Sequence, residues 1–186
     1  TGNSSSFGDL LETNSSAATC ASPTRGIFNQ GGVPTYKKTI EFITIATLGN
    51  ATRFGESSKA GANSPMGASS STRGVFAGGQ FDNPYPQTDI IDYITIATEG
   101  NAIDFGDLTA ATSNGSGLSN SIRGLFAGGA SPNKTNVIEF VTIASTGNAS
   151  DFGDLTQNNV AYAAGVTNGT RGCYAGGSMS PGPNSS

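Results

Sequence analysis

Arg73-Gly74-Val75-Phe76-Ala77-Gly78-Gly79, followed by Ile91-Asp92-Tyr93-Ile94-Thr95-Ile96-Ala97 and then by Phe105-Gly106-Asp107-Leu108, decides the fold, because the chain repeats it. Arg25, Arg123 and Arg171 open the same Arg-Gly-apolar-aromatic phrase, and the four arginines are spaced 48, 50 and 48 residues apart. A double glycine follows each, at Gly31-Gly32, Gly78-Gly79, Gly128-Gly129 and Gly176-Gly177. The Ile-rich run recurs as Ile40–Ala46 and Ile138–Ala144, and a Gly-Asn step with Phe-Gly-acid closes each unit. Self-similarity at this period means one supersecondary unit stacked on copies of itself.

Each unit reads as four short strands. Strand c, the Ile-rich run, alternates Ile91, Tyr93, Thr95 and Ala97 with Asp92, Ile94 and Ile96, and is dense in β-branched and aromatic residues. The Gly-Asn step after it suits a tight hairpin into strand d, the Phe-Gly segment. Strand b is the Arg-Gly phrase, and small-residue stretches such as 17–22 and 161–166 supply strand a. No window carries a capped 3.6-residue apolar period, so helix is expected to be nearly absent. The expected fold class is all-β: a propeller-like array of four-stranded antiparallel blades, about four repeats of 47–51 residues, part of a larger or partner-completed propeller. A flat stack of repeats is the competing geometry.

The expected divisions of this single repeat domain are 1–16 (strand d of an incomplete blade), 17–58, 59–109 and 110–156 (blades), and 157–186 (strands a and b of an incomplete blade).

Composition limits the chemistry. Lys and Arg number 9 against 13 acids, a net charge of -4, which offers no footprint for nucleic acid. The apolar runs fall short of the ~20 residues a membrane helix needs, so no membrane insertion is expected. Histidine is absent, which removes the usual general base and zinc ligand. The acids recur unit by unit, whereas a catalytic pair should be singular. No enzyme activity, catalytic residue, metal or cofactor is therefore expected. Cys20 and Cys173 occupy apolar strand positions and read as two small buried hydrophobes. Asn-X-Ser/Thr sequons, for example at Asn50 and Asn148, are common in so Asn-, Ser- and Thr-rich a chain and argue for glycosylation only in a eukaryotic source.

The apolar-aromatic-X-Gly-Gly phrase, the acidic-aromatic pairs Glu41-Phe42, Asp92-Tyr93 and Glu139-Phe140, and the later aromatic together resemble the kelch repeat over essentially the whole chain. The chain departs from that family in having no Trp, with Phe7, Phe54, Phe105 and Phe152 at the usual Trp places. The wording Arg-Gly-Val-Phe-Ala-Gly-Gly and Thr-Ile-Ala-Thr-X-Gly-Asn-Ala is similar to repeats in virion structural and tail proteins of marine tailed phages. That resemblance implies a non-catalytic structural or binding component, located in a virion or extracellularly. Its partners would be other protein subunits of an assembly, or a cell-surface glycan or protein receptor contacted in host attachment. The alternative is a secreted or cell-surface adhesion module binding carbohydrate or protein.

Residues repeated in every unit are expected to be architectural: Arg25, Arg73, Arg123 and Arg171, with arginine bridging to carboxylates or loop carbonyls, and Asp9, Glu56, Asp107 and Asp154. Contacts specific to one target should instead lie where units differ, in the b-to-c loops. The candidates there are Tyr36, Lys37 and Lys38, then Phe81, Asp82, Asn83 and Tyr85 in the longest loop, then Asn133 and Lys134.

Overall fold

A computed structural model describes residues 2–29, 31–32, 37–58, 63–81, 86–131, 133–157 and 160–179. The described chain is all-β, with no helix. The first sheet is β1 (Ala18–Ala21), β2 (Arg25–Asn29), β3 (Thr39–Thr44) and β4 (Thr52–Glu56). The second is β5 (Met66–Ser69), β6 (Arg73–Ala77), β7 (Ile90–Thr95) and β8 (Ile103–Asp107). β9 (Ser116–Ser119), β10 (Arg123–Ala127), β13 (Val137–Thr142) and β14 (Ser150–Asp154) form the third, with the small pair β11 (Ala130–Ser131) and β12 (Asn133–Lys134) in its b-to-c connection. A long hairpin, β15 (Val160–Thr167) and β16 (Gly172–Met179), follows. Each four-stranded sheet is an antiparallel meander in chain order, like a propeller blade.

Neighbouring sheets pack face to face through two apolar clusters. In the first, Ala18, Cys20, Ile27, Ile40, Phe42 and Phe54 of the first sheet meet Phe76, Ile94, Ile96 and Ala102 of the second unit. In the other, the second unit's Met66, Ala68, Val75, Ile91 and Phe105 meet Phe126, Val141, Ile143 and Ala149 of the third. Strand c therefore has two faces with two fates: Ile94 and Ile96 point back to the preceding sheet, while Ile91 and Tyr93 point on to the next. We call these the leading and trailing faces. Alternation along one strand thus buries both sides, as in a sheet sandwiched between two others.

Strand a is built of small residues because backbone must approach backbone there. A Cβ on Gly67 would lie 2.2 Å from the Thr19 carbonyl oxygen, and one on Gly117 would lie 2.1 Å from that of Gly67. Two residues along, the Ser69 hydroxyl donates to the Ala21 carbonyl at 3.0 Å, and the Ser119 hydroxyl to the Ser69 carbonyl at 2.8 Å. A main-chain ladder also crosses the sheets: Ser64 N donates to Ser16 O, Asn114 N to Ser64 O, and Tyr162 N to Asn114 O, at 3.0, 3.1 and 2.8 Å. All four residues of that ladder have φ between 56° and 62°. Ser and Asn tolerate this left-handed region better than Tyr does.

Two expectations are corrected. The Gly-Asn step is not a tight hairpin turn. β3 ends at Thr44 and β4 begins at Thr52, and a turn closed by Thr47 N to Thr44 O comes before Gly49-Asn50. Gly-Asn serves instead as a contact between sheets. Second, Cys20 is buried but Cys173 is exposed. Cys173 matches Ile27 and Val75 in register, yet no following sheet packs on the β15–β16 hairpin among the described residues, so that face is uncovered.

Candidate interaction surfaces

Each trailing face is organised around its arginine. Ser22 and Ser70, three residues before the arginine, accept its backbone N–H on the side-chain oxygen at 3.1 Å each, and Asn120 and Asn168 do the same at 2.7 and 2.8 Å, tightening the a-to-b turn. The guanidinium then lies over the strand c aromatic: Arg25 over Phe42 at 4.3 Å, Arg73 over Tyr93 at 4.3 Å, Arg123 over Phe140 at 4.8 Å. That aromatic packs edge-on against the strand d phenylalanine, Phe54, Phe105 or Phe152, with centroids 6.0, 6.0 and 6.1 Å apart. From this stack Arg25 Nη1 donates to Ile96 O at 2.9 Å and Arg73 Nη1 to Ile143 O at 2.8 Å, each a carbonyl of the next sheet.

The strand d phenylalanine carries a second link. Register shifts between strands c and d leave Phe54, Phe105 and Phe152 as the unpaired residues of β-bulges. A bulged residue has its carbonyl released from the ladder, and the next sheet uses it. Gly100 N donates to Phe54 O at 3.0 Å and Ala102 N to Glu56 O at 2.7 Å, while Gly147 N and Ala149 N reach Phe105 O and Asp107 O at 2.8 Å each. The Asn side chain completes the clamp, Asn101 Oδ1 accepting from Glu56 N and Asn148 Oδ1 from Asp107 N, at 3.1 Å each. Residues 7–11 meet the first sheet in this way, with Gly49 N on Phe7 O at 2.9 Å, Ala51 N on Asp9 O at 2.8 Å and Asp9 N on Asn50 Oδ1 at 3.0 Å.

Asp9, Glu56 and Asp107 thus meet the neighbouring unit through backbone, not carboxylate; Asp154 has no corresponding contact among the described residues. The buried acids lie elsewhere, on strand c. Glu41, Asp92 and Glu139 accept the N–H groups of Leu11, Ser58 and Thr109 in the preceding unit, at 2.9, 3.0 and 2.9 Å. Sequence reading noticed these acids only as half of an acidic-aromatic pair. Their signal was position: an acid on the leading face of an otherwise apolar strand needs a donor from outside its own sheet. Desolvation pushes the Glu139 carboxyl above the ordinary range, offset by the Thr109 N–H and reinforced by the nearby Asp151 charge.

The variable-loop candidates occupy equivalent b-to-c connections in successive sheets. Lys37 pairs with Glu12 at 2.6 Å, whereas Lys38 is exposed. Phe81 is half-buried, and its N–H donates to Pro86 O at 3.0 Å. Asn133 is exposed in the small β11–β12 hairpin, and Lys134 Nζ lies 2.8 Å from Ser178 Oγ of β16. These side chains make no contact with one another among the described residues. Tyr36, Asp82, Asn83 and Tyr85 lie outside the described residues.

Neither a protein-family description nor any curated protein matches this chain.

Sequence reading did not single out the groove beside the third sheet. It measures about 410 Å³ and runs between the third trailing face and the β15–β16 hairpin, lined by Leu118, Arg123, Leu125, Phe152, Arg171 and Tyr174 among others. Phe152 is 54% exposed here, against 4% for Phe54 and 3% for Phe105. Burial pushes the Tyr174 hydroxyl well above its ordinary pKa, and its oxygen is buried without a hydrogen-bond partner among the described residues.

Proposed function

We propose that this chain is a non-catalytic structural and binding module, a kelch-like propeller segment that builds a larger protein assembly, as a tail or surface component of a virion contributing to assembly or host attachment. The observation that supports this most is how the repeated polar residues are used. Arg25 and Arg73 direct their guanidinium groups to the following unit, and Glu41, Asp92 and Glu139 direct their carboxylates to the preceding one, so these residues hold units together. The likeness of the repeat wording to virion structural and tail proteins of marine tailed phages supports the location. The loop residues Lys38, Phe81 and Asn133, in the b-to-c connections of successive units, supply the surface that would differ from unit to unit.

Cross-linking mass spectrometry on native particles containing this chain tests the reading. Lys38 and Lys134 are expected to link to another protein of the same particle. Recovery of the chain only as a separate species that binds glycans on an array would replace the assembly reading with that of a secreted or cell-surface adhesion module.

A further inference from the structure

The two interior junctions differ in one acid. At the first, Asp92 has both carboxylate oxygens engaged by Ser58, Oδ2 accepting from its N–H at 3.0 Å and Oδ1 from its hydroxyl at 2.6 Å. At the second, the longer Glu139 takes both the N–H of Thr109, at 2.9 Å, and the Thr109 hydroxyl on one oxygen, Oε1. Oε2 has no donor, and the carboxylate no lysine or arginine partner, among the described residues. Glu139 is nevertheless only 7% exposed. It lines a cavity of about 100 Å³ between the second and third units, open to solvent beside the exposed Thr109 and Ala110.

The rest of the wall favours one kind of occupant. Thr109 gives its hydroxyl hydrogen to Glu139, and Thr112 gives its own to Ala110 O at 3.1 Å, so both hydroxyl oxygens are left as acceptors. Met66, Phe126 and Val137 make another part of the wall apolar. Met66 belongs to this junction alone of the two, since the first sheet has Ala18 at the same register position of strand a. Burial and the nearby Asp151 charge both work against a bare carboxylate at Glu139, so a cation beside it is stabilising.

We infer that this cavity binds a small primary ammonium ion, its N–H groups directed to Glu139 Oε2 and the Thr109 and Thr112 hydroxyl oxygens, its short alkyl chain against Met66, Phe126 and Val137. An ammonium has three donors and no acceptor, which suits a wall of acceptors with one negative charge. A hard metal ion is a poorer match, because it calls for about six or more oxygen ligands and much of this wall is carbon. The site lies inside the described array, so it exists whatever the chain assembles with.

The chain has two methionines, Met66 in the cavity wall and Met179, so methyl-labelled methionine gives a reporter at the site and one outside it. Propylammonium chloride is titrated into the full chain at about pH 8, where a carboxylate and an alkylammonium are both charged. A saturable shift of the Met66 methyl signal with Met179 unmoved is expected, and Glu139→Gln should weaken it about tenfold or more. The neutral isostere 1-propanol, tried on the parent chain and so independent of whether the variant folds, should also bind about tenfold more weakly or worse. No Met66 shift with propylammonium, an equal response to 1-propanol, or the same saturable shift with potassium chloride overturns the proposal. Nα-acetyl-lysine N-methylamide separates two sources of the ammonium: binding equal to propylammonium admits a lysine side chain of a partner, and much weaker binding confines the site to free amines, both keeping the ammonium site.

Discussion

Phe105 and Phe152 occupy the same place in the repeat, pack edge-on against the equivalent strand c aromatics Tyr93 and Phe140 at centroid distances of 6.0 and 6.1 Å, and differ almost completely in exposure, 3% against 54%. The local sheet is the same at both. What differs is the next sheet: Val141, Ile143 and Ala149 close over Phe105, and nothing equivalent among the described residues closes over Phe152. The other end of the array shows the mirror image. Gly67 and Ser69, which accommodate and bond the preceding strand a, are Thr19 and Ala21 in the first sheet, and Ile45 is 45% exposed where Ile96 and Ile143 are each 1% exposed. Burial in this protein is thus a property of the junction between units more than of the unit. The two interior junctions hold most of the apolar core.

The largest expected effect tests that directly. Phe105→Ala should cost about 3–5 kcal/mol of unfolding free energy, the usual range for emptying a buried aromatic site, while Phe152→Ala should stay within about 0.5 kcal/mol. Urea unfolding of both variants measures the difference. Equal losses would mean that the third trailing face is covered in the isolated chain and would erase the contrast between interior and end.

Next comes the close approach of the a strands. Gly67→Ala puts a methyl 2.2 Å from the Thr19 carbonyl oxygen, so the first junction must open, and a loss of about 1–3 kcal/mol is expected. Thr19→Gly, at the same position but with no preceding strand a against it among the described residues, should cost only about 0.5–1 kcal/mol through backbone freedom. Midpoints from the same denaturant titration would decide. A tolerated alanine at Gly67 would show that the sheets can slide apart without penalty.

The smallest effect is electrostatic and concerns the second junction alone. Glu139 has a folded pKa above the value of 4.5 expected when unfolded. The folded state therefore binds its proton more tightly, and the native form is favoured most below that value. Stability falls as pH rises through 4.5 towards the raised folded value. Glu139→Gln keeps an acceptor for the Thr109 N–H and removes the titration. The difference in midpoint between about pH 4 and about pH 7 should then be smaller in the variant than in the parent chain. An identical pH response would place the buried charge elsewhere.

Much of the fold could be read in advance because it is local and repeated. The alternation of Ile91 to Ala97, the small residues of strand a and the fixed Arg-to-Arg spacing each report a strand or a period, and repetition lets one unit confirm the next. The junction chemistry was less legible. Gly100-Asn101 reads as a turn from its composition, yet the N–H groups of Gly100 and Ala102 leave the sheet to bind the Phe54 and Glu56 carbonyls, because a bulge in the facing strand d exposes them. The acids chosen for repetition, Glu56 and Asp107, use only their backbones between units, while Asp92 and Glu139 turn their carboxylates inward. Only their place separates the two roles, an acid within the apolar strand c against one that recurs in the Phe-Gly phrase. The positive φ of Tyr162 is equally silent in the sequence, since Tyr is a poor choice for that conformation, and only alignment with Asn114 and Ser64 in the inter-sheet ladder accounts for it.

By itself the sequence determined the strand content, the period and the apolar faces, for these depend on side-chain alternation and turn chemistry within a few residues. Tertiary structure alone decided which of those faces are buried. A Phe, a Cys or an Arg of the repeat is core, surface or clamp according to whether another sheet stands beside it, and contact between units some 50 residues apart leaves no mark on the residues that lack it.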